Sequence, residues 1–155
     1  VLSERARNFL EAGGAAYETL PHREAFTAQG VASAVHVSGW QLAKVLAVQA
    51  PSEKPVMVVL PASCRLDLAA LARVLDKSSV ALVPEEKMRE LFPDCETGAM
   101  PPFGQIYGMP VYVDKCFPKA GDFAFQAGNH HEIVRMSYAD YERLARPAVA
   151  DFCRH

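Results

Sequence analysis

Leu42-Ala43-Lys44-Val45-Leu46-Ala47-Val48 and Val56-Met57-Val58-Val59-Leu60, with Pro51 to Pro55 between them, decide the fold. The two apolar runs predict strands over Lys44 to Gln49 and Val56 to Leu60, joined as a hairpin with a longer loop. In a strand, side chains at 44, 46 and 48 share one face. Lys44 therefore lines up with Leu46 and Val48, while Val45 and Ala47 point the other way. A lysine on a buried face is unfavourable unless it is paired or carries an anion. The other reading is that Lys44 lies at the strand's start and snorkels to water.

Working outward, Ser3 to Ala12 reads as a helix stopped by Gly13-Gly14. Tyr17 to Leu20 is a short strand, and Thr27 caps a small-residue helix reaching about Ala34. Asp67 is an N-cap for Leu68 to Leu75, whose Leu68, Leu71, Ala72 and Leu75 fall on one helical face. Val80 to Val83 is a strand, and Pro84 starts a helix over Glu85 to Phe92 in the favoured first-turn position. Strands follow near Val111–Val113, Phe123–Gln126 and Ile133–Met136. Ser137, with Asp140 three residues on, resembles a capping box for a final helix. Strands and helices interleave irregularly with two hairpin-like pairs. The expectation is an α+β fold with a mixed sheet, one domain over residues 1–155.

Length and composition agree with that. The chain has 155 residues, half of them apolar, and a net charge of −2. This is the profile of a soluble globular domain. No stretch approaches the roughly 18 apolar residues of a membrane span, and no charged leader precedes an apolar core. The chain opens at Val1 without Met, so starting residues or a larger fused neighbour are expected beyond it. Cys64, Cys95, Cys116 and Cys153 are scattered without a C-x-x-C pair, which predicts reduced thiols in a cytoplasmic protein and no metal site. The acidic balance argues against broad nucleic-acid affinity, DNA included. Any RNA contact falls to a local basic patch drawn from Arg65, Arg73, Lys77, Lys115 and Lys119, each of which also reads as ordinary solvated surface.

Gly98-Ala99-Met100-Pro101-Pro102-Phe103-Gly104 carries the chemistry. Proline fixes φ, and glycine keeps its amide while letting a ligand approach the backbone. This composition suits a backbone cradle for an oxyanion or a phosphate, or an ordinary tight connection. The loop is expected at the surface. Phe125-Gln126-Ala127-Gly128-Asn129-His130-His131-Glu132-Ile133 adds a turn signal before two histidines. Adjacent strand residues face opposite sides, so His130 and His131 do not serve one site together. His131 is expected to be exposed. Gly-x-Ser-x-Gly, H-E-x-x-H and Ser-His-Asp spacings are all absent, which disfavours a covalent hydrolase. Asp114 closes Val111-Tyr112-Val113-Asp114, where it either holds Lys44 or a substrate amine, or forms a turn. Trp40 and Tyr107 are candidates to stack on a base, with core packing the stronger reading.

The apolar-strand Lys44, the Gly98-x-x-x-Pro102 loop and the Gly128-x-His130 step, in this order and spacing, resemble the YbaK-type and prolyl-tRNA synthetase editing-domain superfamily of aminoacyl-tRNA deacylases. The resemblance runs from about Tyr17 to Leu144 and implies a curled, pseudo-barrel sheet flanked by helices. It implies Lys44, Gly98 and His130 as catalytic residues. It also implies that Ala99, Met100, Pro101, Pro102, Asp114, Gly128 and Asn129 contact the substrate. The implied substrate is the acceptor end of an aminoacyl-tRNA, whose ribose 2′-hydroxyl assists, with no metal or other cofactor. Prolyl-tRNA synthetase or a fused domain is the implied protein partner, and neither DNA nor a membrane is expected. Alanine on proline tRNA is the expected substrate, with cysteine or another small amino acid as alternatives. Met100 departs from the valine-like residue of many relatives, which bears on that specificity. The rival class is a non-catalytic tRNA- or aminoacyl-binding regulatory module from a larger signalling protein.

Overall fold

The structure, a computed structural model, describes residues 3–21 and 38–154. The helix expected from Thr27 to Ala34 lies outside them. Strand β2 (Ala43–Gln49) pairs antiparallel with β3 (Val56–Pro61), opposing Lys44 to Leu60 and Val48 to Val56, as the two apolar runs require. Three further strands complete a five-stranded mixed sheet, β5 (Ala81–Leu82), β6 (Val111–Asp114) and β9 (Ala148–Ala150), in the order β5-β2-β3-β6-β9. β6 runs parallel to both β3 and β9.

An antiparallel sheet of β1 (Tyr17–Pro21), β8 (Glu132–Ser137) and β7 (Asp122–Gln126) packs beside it, in the order β1-β8-β7. A parallel bridge between Leu42 and Ala124 joins the two sheets. A two-stranded ribbon of β4 (Arg65–Leu66) and β10 (Cys153–Arg154) stands apart. The fold is α+β with a mixed sheet, as expected, but the described strands do not close into a barrel.

Strand alternation divides the apolar side chains of the five-stranded sheet between two cores. Val45, Ala47, Met57, Val59, Val111 and Val113 face a main core filled by Phe103, Phe123, Phe125 and Tyr141. Phe123 and Tyr141 stack with ring centroids 4.1 Å apart. Val48, Val58 and Leu60 face a smaller core with Cys64, Leu71 and Phe152. Both faces of β2 and β3 are therefore covered, which is why their sequences are apolar at nearly every position.

The helices start where capping chemistry places them. Ser3, Asp67 and Ser137 accept from the amides of Ala6, Ala70 and Asp140 to open α1 (Glu4–Ala12), α2 (Leu68–Val74) and α4 (Tyr138–Ala145). Pro84 is itself the cap of α3 (Glu85–Leu91) rather than its first helical residue, and the helix stops before Phe92, which turns into the core. β4, β9, β10 and a 3-10 turn over Gly104–Tyr107 carry too little periodicity to be read from sequence.

Candidate functional site

Glu96-Thr97-Gly98-Ala99 forms a β-turn closed by the Ala99 amide donating to the Glu96 carbonyl at 3.0 Å. Gly98 has φ +86° at its third position, which makes the turn type II, a geometry that favours glycine there. The turn is clamped to the β7–β8 connection by two backbone bonds. The Glu96 amide donates to the Gly128 carbonyl at 2.8 Å, and the Gly128 amide to the Ala99 carbonyl at 2.7 Å. Gly128 has φ +114°, and a Cβ on it would lie 3.0 Å from the Ser3 Cβ and 3.2 Å from the Ser3 nitrogen. Only glycine fits that crossing.

His130 is buried and completes the junction. Its amide donates to a Glu96 carboxylate oxygen at 3.0 Å, and its Nε2 lies 2.8 Å from the Thr97 carbonyl. A carbonyl only accepts, so Nε2 carries the proton in that contact. Nδ1 lies 3.2 Å from the Gln126 side-chain nitrogen, which donates to it in the neutral ring. Asn129 folds the following backbone, its Oδ1 accepting from the amides of His131 at 2.8 Å and Glu132 at 2.9 Å. His131 is exposed. The two histidines sit in the connection before β8 rather than in a strand, but they do point apart.

This arrangement fixes one backbone donor. In a trans peptide the C=O and the following N–H point in opposite directions. The Thr97 carbonyl faces His130, so the Gly98 N–H faces away from it, from an exposed residue. Among the described residues it meets no acceptor. A rigid amide of this kind is suited to an oxyanion or a phosphate oxygen.

The rest of the glycine–proline segment is not at the surface, contrary to expectation. Ala99, Met100, Pro101, Pro102 and Phe103 are all buried, with Met100 and Phe103 in the main core. The Pro102 carbonyl accepts from the Tyr141 hydroxyl at 3.0 Å. Apolar side chains after Gly98 drive the segment inward and leave Glu96, Thr97 and Gly98 outside. Underneath, Asp94 accepts from Ser3 and from Tyr107. Burial alone would raise the Asp94 carboxyl, but these hydroxyl donors outweigh it and hold it below the usual carboxylate range. Tyr107 is thus half-buried against Phe92, whereas Trp40 is 39% exposed and not a core residue.

Lys44 and Asp114 lie toward the smaller core. The Lys44 ammonium donates to the Cys64 carbonyl at 2.7 Å, on the face shared with Leu46 and Val48. Half-burial pulls the ammonium below the usual lysine range. Asp114 is fully buried, and its two oxygens accept from the amides of Phe152 at 2.9 Å and Cys116 at 2.8 Å. Burial would raise this carboxyl too, but the Phe152 and Cys116 amides outweigh it and hold it low. Asp114 therefore anchors the C-terminal chain. Burial pushes the neighbouring Cys116 thiol up to about 12, so it is a poor nucleophile.

Of the basic residues considered for RNA, Lys77, Lys115 and Lys119 form surface ion pairs with Glu53, Asp151 and Glu142. Sequence reasoning does not single out Glu96, Thr97 or Gln126. Only their positions beside Gly98 and Gly128 hint at them.

Known proteins resemble this chain in sequence and in fold. The family described as aminoacyl-tRNA editing domain matches residues 22–144. The multifunctional Ser/Thr-tRNA deacylase ProXp-y of Escherichia coli K12 is 27% identical over 158 residues, covering 99% of this chain and 94% of its own length. A solved structure described as a candidate trans-editing enzyme for prolyl tRNA synthetase superposes with TM-score 0.85 at 22% identity, over 99% of this chain and 97% of that one. A candidate signal transduction protein from Marinobacter aquaeolei VT8 superposes with TM-score 0.75 at 16% identity, over 100% of this chain but 31% of that one. With the family match spanning most of its length, the chain belongs to the aminoacyl-tRNA editing domain family.

Proposed function

We propose that the chain acts as one editing domain that hydrolyses the ester linking a mischarged small amino acid to the acceptor end of a tRNA. The outward Gly98 N–H, held by the junction with His130, carries this reading. An aminoacyl ester is already activated, so water suffices as nucleophile once the carbonyl is positioned. The tetrahedral oxyanion then needs a preorganised donor, and one backbone N–H contributes on the order of 3 kcal/mol to such a transition state. Lys44 steers the terminal phosphate or the adjoining backbone. Its half-buried ammonium leaves the Cys64 carbonyl readily only for a stronger, charged acceptor.

Both nitrogens of His130 are engaged within the junction, so its role is positional rather than that of a general base. Asp114 supports the scaffold and is left out of the substrate contacts. Alanine on proline tRNA remains the substrate proposed from the family resemblance, and the Escherichia coli relative adds serine and threonine as acyl groups to test. The reaction is placed in the cytoplasm, with prolyl-tRNA synthetase or a fused domain as companion. Among the described residues no helix is long and apolar enough to cross a membrane.

The test is a deacylation panel of alanine, cysteine, serine and threonine on proline, serine and threonine tRNAs, with correctly matched pairs as controls and no added metal. Hydrolysis of at least one mischarged pair is expected. Failure across the panel with retained acceptor-stem binding replaces the reading with a regulatory module. Loss of activity in chelator, restored by zinc, overturns the mechanism.

A further inference from the structure

We infer that the β4–β10 ribbon seats the phosphate backbone of the tRNA acceptor arm, through Arg65, Arg154 and the neighbouring Arg73. This rests on the proposed editing reaction and names where the rest of that substrate lies. Antiparallel pairing sets Arg65 directly opposite Arg154, and Leu66 opposite Cys153. Opposed residues share a face, and successive ones alternate between faces. Leu66 and Cys153 pack on the smaller core with Phe152. The two arginines therefore share the outer face, and both are exposed. Arg73, in the last turn of α2, is exposed as well.

Like charges set opposite each other across a ribbon oppose its pairing. Among the described residues, no carboxylate forms an ion pair with Arg65, Arg73 or Arg154 to offset that. Lys77, Lys115 and Lys119, by contrast, each hold an acid. Asp67 senses Arg154 and Arg73, but it caps α2, and the bond from the Ala70 amide is what chiefly holds its carboxyl low. Lys44 adds a further cation, its ammonium bonded to the carbonyl of Cys64, the residue before Arg65. Burial disfavours that ammonium most, and the Arg65 charge adds to the effect. Cations grouped without counter-charge match the closely spaced phosphates of a nucleic acid. Guanidinium forks take phosphate oxygens in pairs, which suits the arginines to this contact.

A two-stranded ribbon is marginal by itself, and this one is tied down. The Asp67 amide donates to the Phe152 carbonyl at 2.8 Å, and the Phe152 amide to Asp114 at 2.9 Å. The buried Asp114 carboxylate thus fixes the chain that carries Arg154. Lys44, assigned above to the terminal phosphate, sets the contact for the 3′ end beside the contacts for the stem.

The test is binding of an uncharged RNA hairpin reproducing the acceptor arm of proline tRNA, titrated from about 0.05 to 0.3 M salt. Arg65→Gln/Arg154→Gln should weaken binding about tenfold at about 0.15 M salt. It should lower the slope of log Kd against log salt by about two, one for each lost phosphate contact. A hairpin of scrambled stem sequence should lose as much, because phosphates carry no sequence. Arg65→Lys/Arg154→Lys should keep the slope and lose only part of the affinity. Arg73→Gln, on an exposed helix face, should cost about threefold and lower the slope by about one, and it carries the test if the ribbon variant fails to fold.

Lys54→Gln/Lys87→Gln removes the same charge near the loop end of the β2–β3 hairpin and should change Kd less than about twofold. In deacylation, Arg65→Gln/Arg154→Gln should raise KM and spare kcat. Equal losses in the arginine and lysine pairs reduce the effect to net charge and overturn the inference. Unchanged hairpin affinity in folded Arg65→Gln/Arg154→Gln overturns it too. So does arginine-dependent binding to phosphatidylglycerol vesicles in place of the hairpin, which assigns the ribbon to a membrane surface. If the hairpin binds through the ribbon but no aminoacyl ester is cleaved, the proposed reaction fails and the RNA surface stands.

Discussion

The junction around Gly98, at the β7–β8 connection, and the flank carrying Lys44 and Asp114, on the five-stranded sheet, both bury polar groups, but they satisfy them differently. Around Gly98, backbone bonds to Gly128 and the ring of His130 hold the turn and leave an exposed amide facing out. On the flank, each charge is turned inward, Asp114 onto two backbone amides and Lys44 onto the Cys64 carbonyl. The first arrangement presents a donor, and the second secures chain. The comparison teaches that burial of an ionisable group is a poor guide to its role. The better guide is whether its partners are already in the fold. Lys44 is the case between them, since a single carbonyl leaves an ammonium with donors to spare.

The sharpest way to break the contrast is Asp114→Ala. Removing a fully buried carboxylate strands two backbone donors, and a loss of about 3 kcal/mol or more is expected, read by urea denaturation. Because the Asp114 and Asp94 carboxyls are held low in the fold, their stabilisation is complete above the ordinary carboxylate range. It is lost as pH falls below about 4 through the folded values. Asp114→Asn should flatten that acid dependence. Should it instead keep full stability while losing deacylation, Asp114 belongs with the substrate.

Lys44→Ala comes next, with kcat/KM expected to fall about a hundredfold, on the order of 2.7 kcal/mol, in a folded protein. Lys44→Arg should rescue only in part, because the planar guanidinium aims its donors differently. Near-normal kcat/KM in Lys44→Ala would place Lys44 wholly on the scaffold side of the comparison.

The two glycines separate fold from function inside the junction itself. Gly128→Ala adds a Cβ against the Ser3 backbone at a φ closed to alanine, and about 2 kcal/mol of destabilisation is expected in thermal unfolding. Gly98 has open space, the nearest atom to a new Cβ being His130 Cε1 at 3.7 Å. Gly98→Val should therefore stay folded and lower kcat by about tenfold, roughly 1.4 kcal/mol, as the turn leaves its type II geometry. Unchanged turnover in folded Gly98→Val would remove the oxyanion role. The smallest effect belongs to Lys44→Met, whose melting temperature should hold or rise slightly, since half-burial disfavours the ammonium.

Local chemistry is legible in the chain itself. The hairpin of β2 and β3 follows from two apolar runs around a proline-bounded turn, and the openings of α2 and α4 follow from Asp67 and Ser137, which cap them. Alternation alone puts Lys44 on the face of Leu46 and Val48. The motif order points to the family, because the spacing of Lys44, Gly98 and His130 is written in the chain.

What surrounds each residue is not legible, because it depends on segments that meet only in the fold. Thr97 and His130 are 33 residues apart, and the Phe152 amide reaches Asp114 from 38 residues away. A glycine–proline segment reads as exposed until Met100 and Phe103 are seen packed beneath it. The amino-acid order by itself determined the main strands, the caps and the candidate residues, since those depend on neighbours within a few positions. Tertiary structure alone decided which carbonyl holds which side chain, and therefore which amide is left facing out.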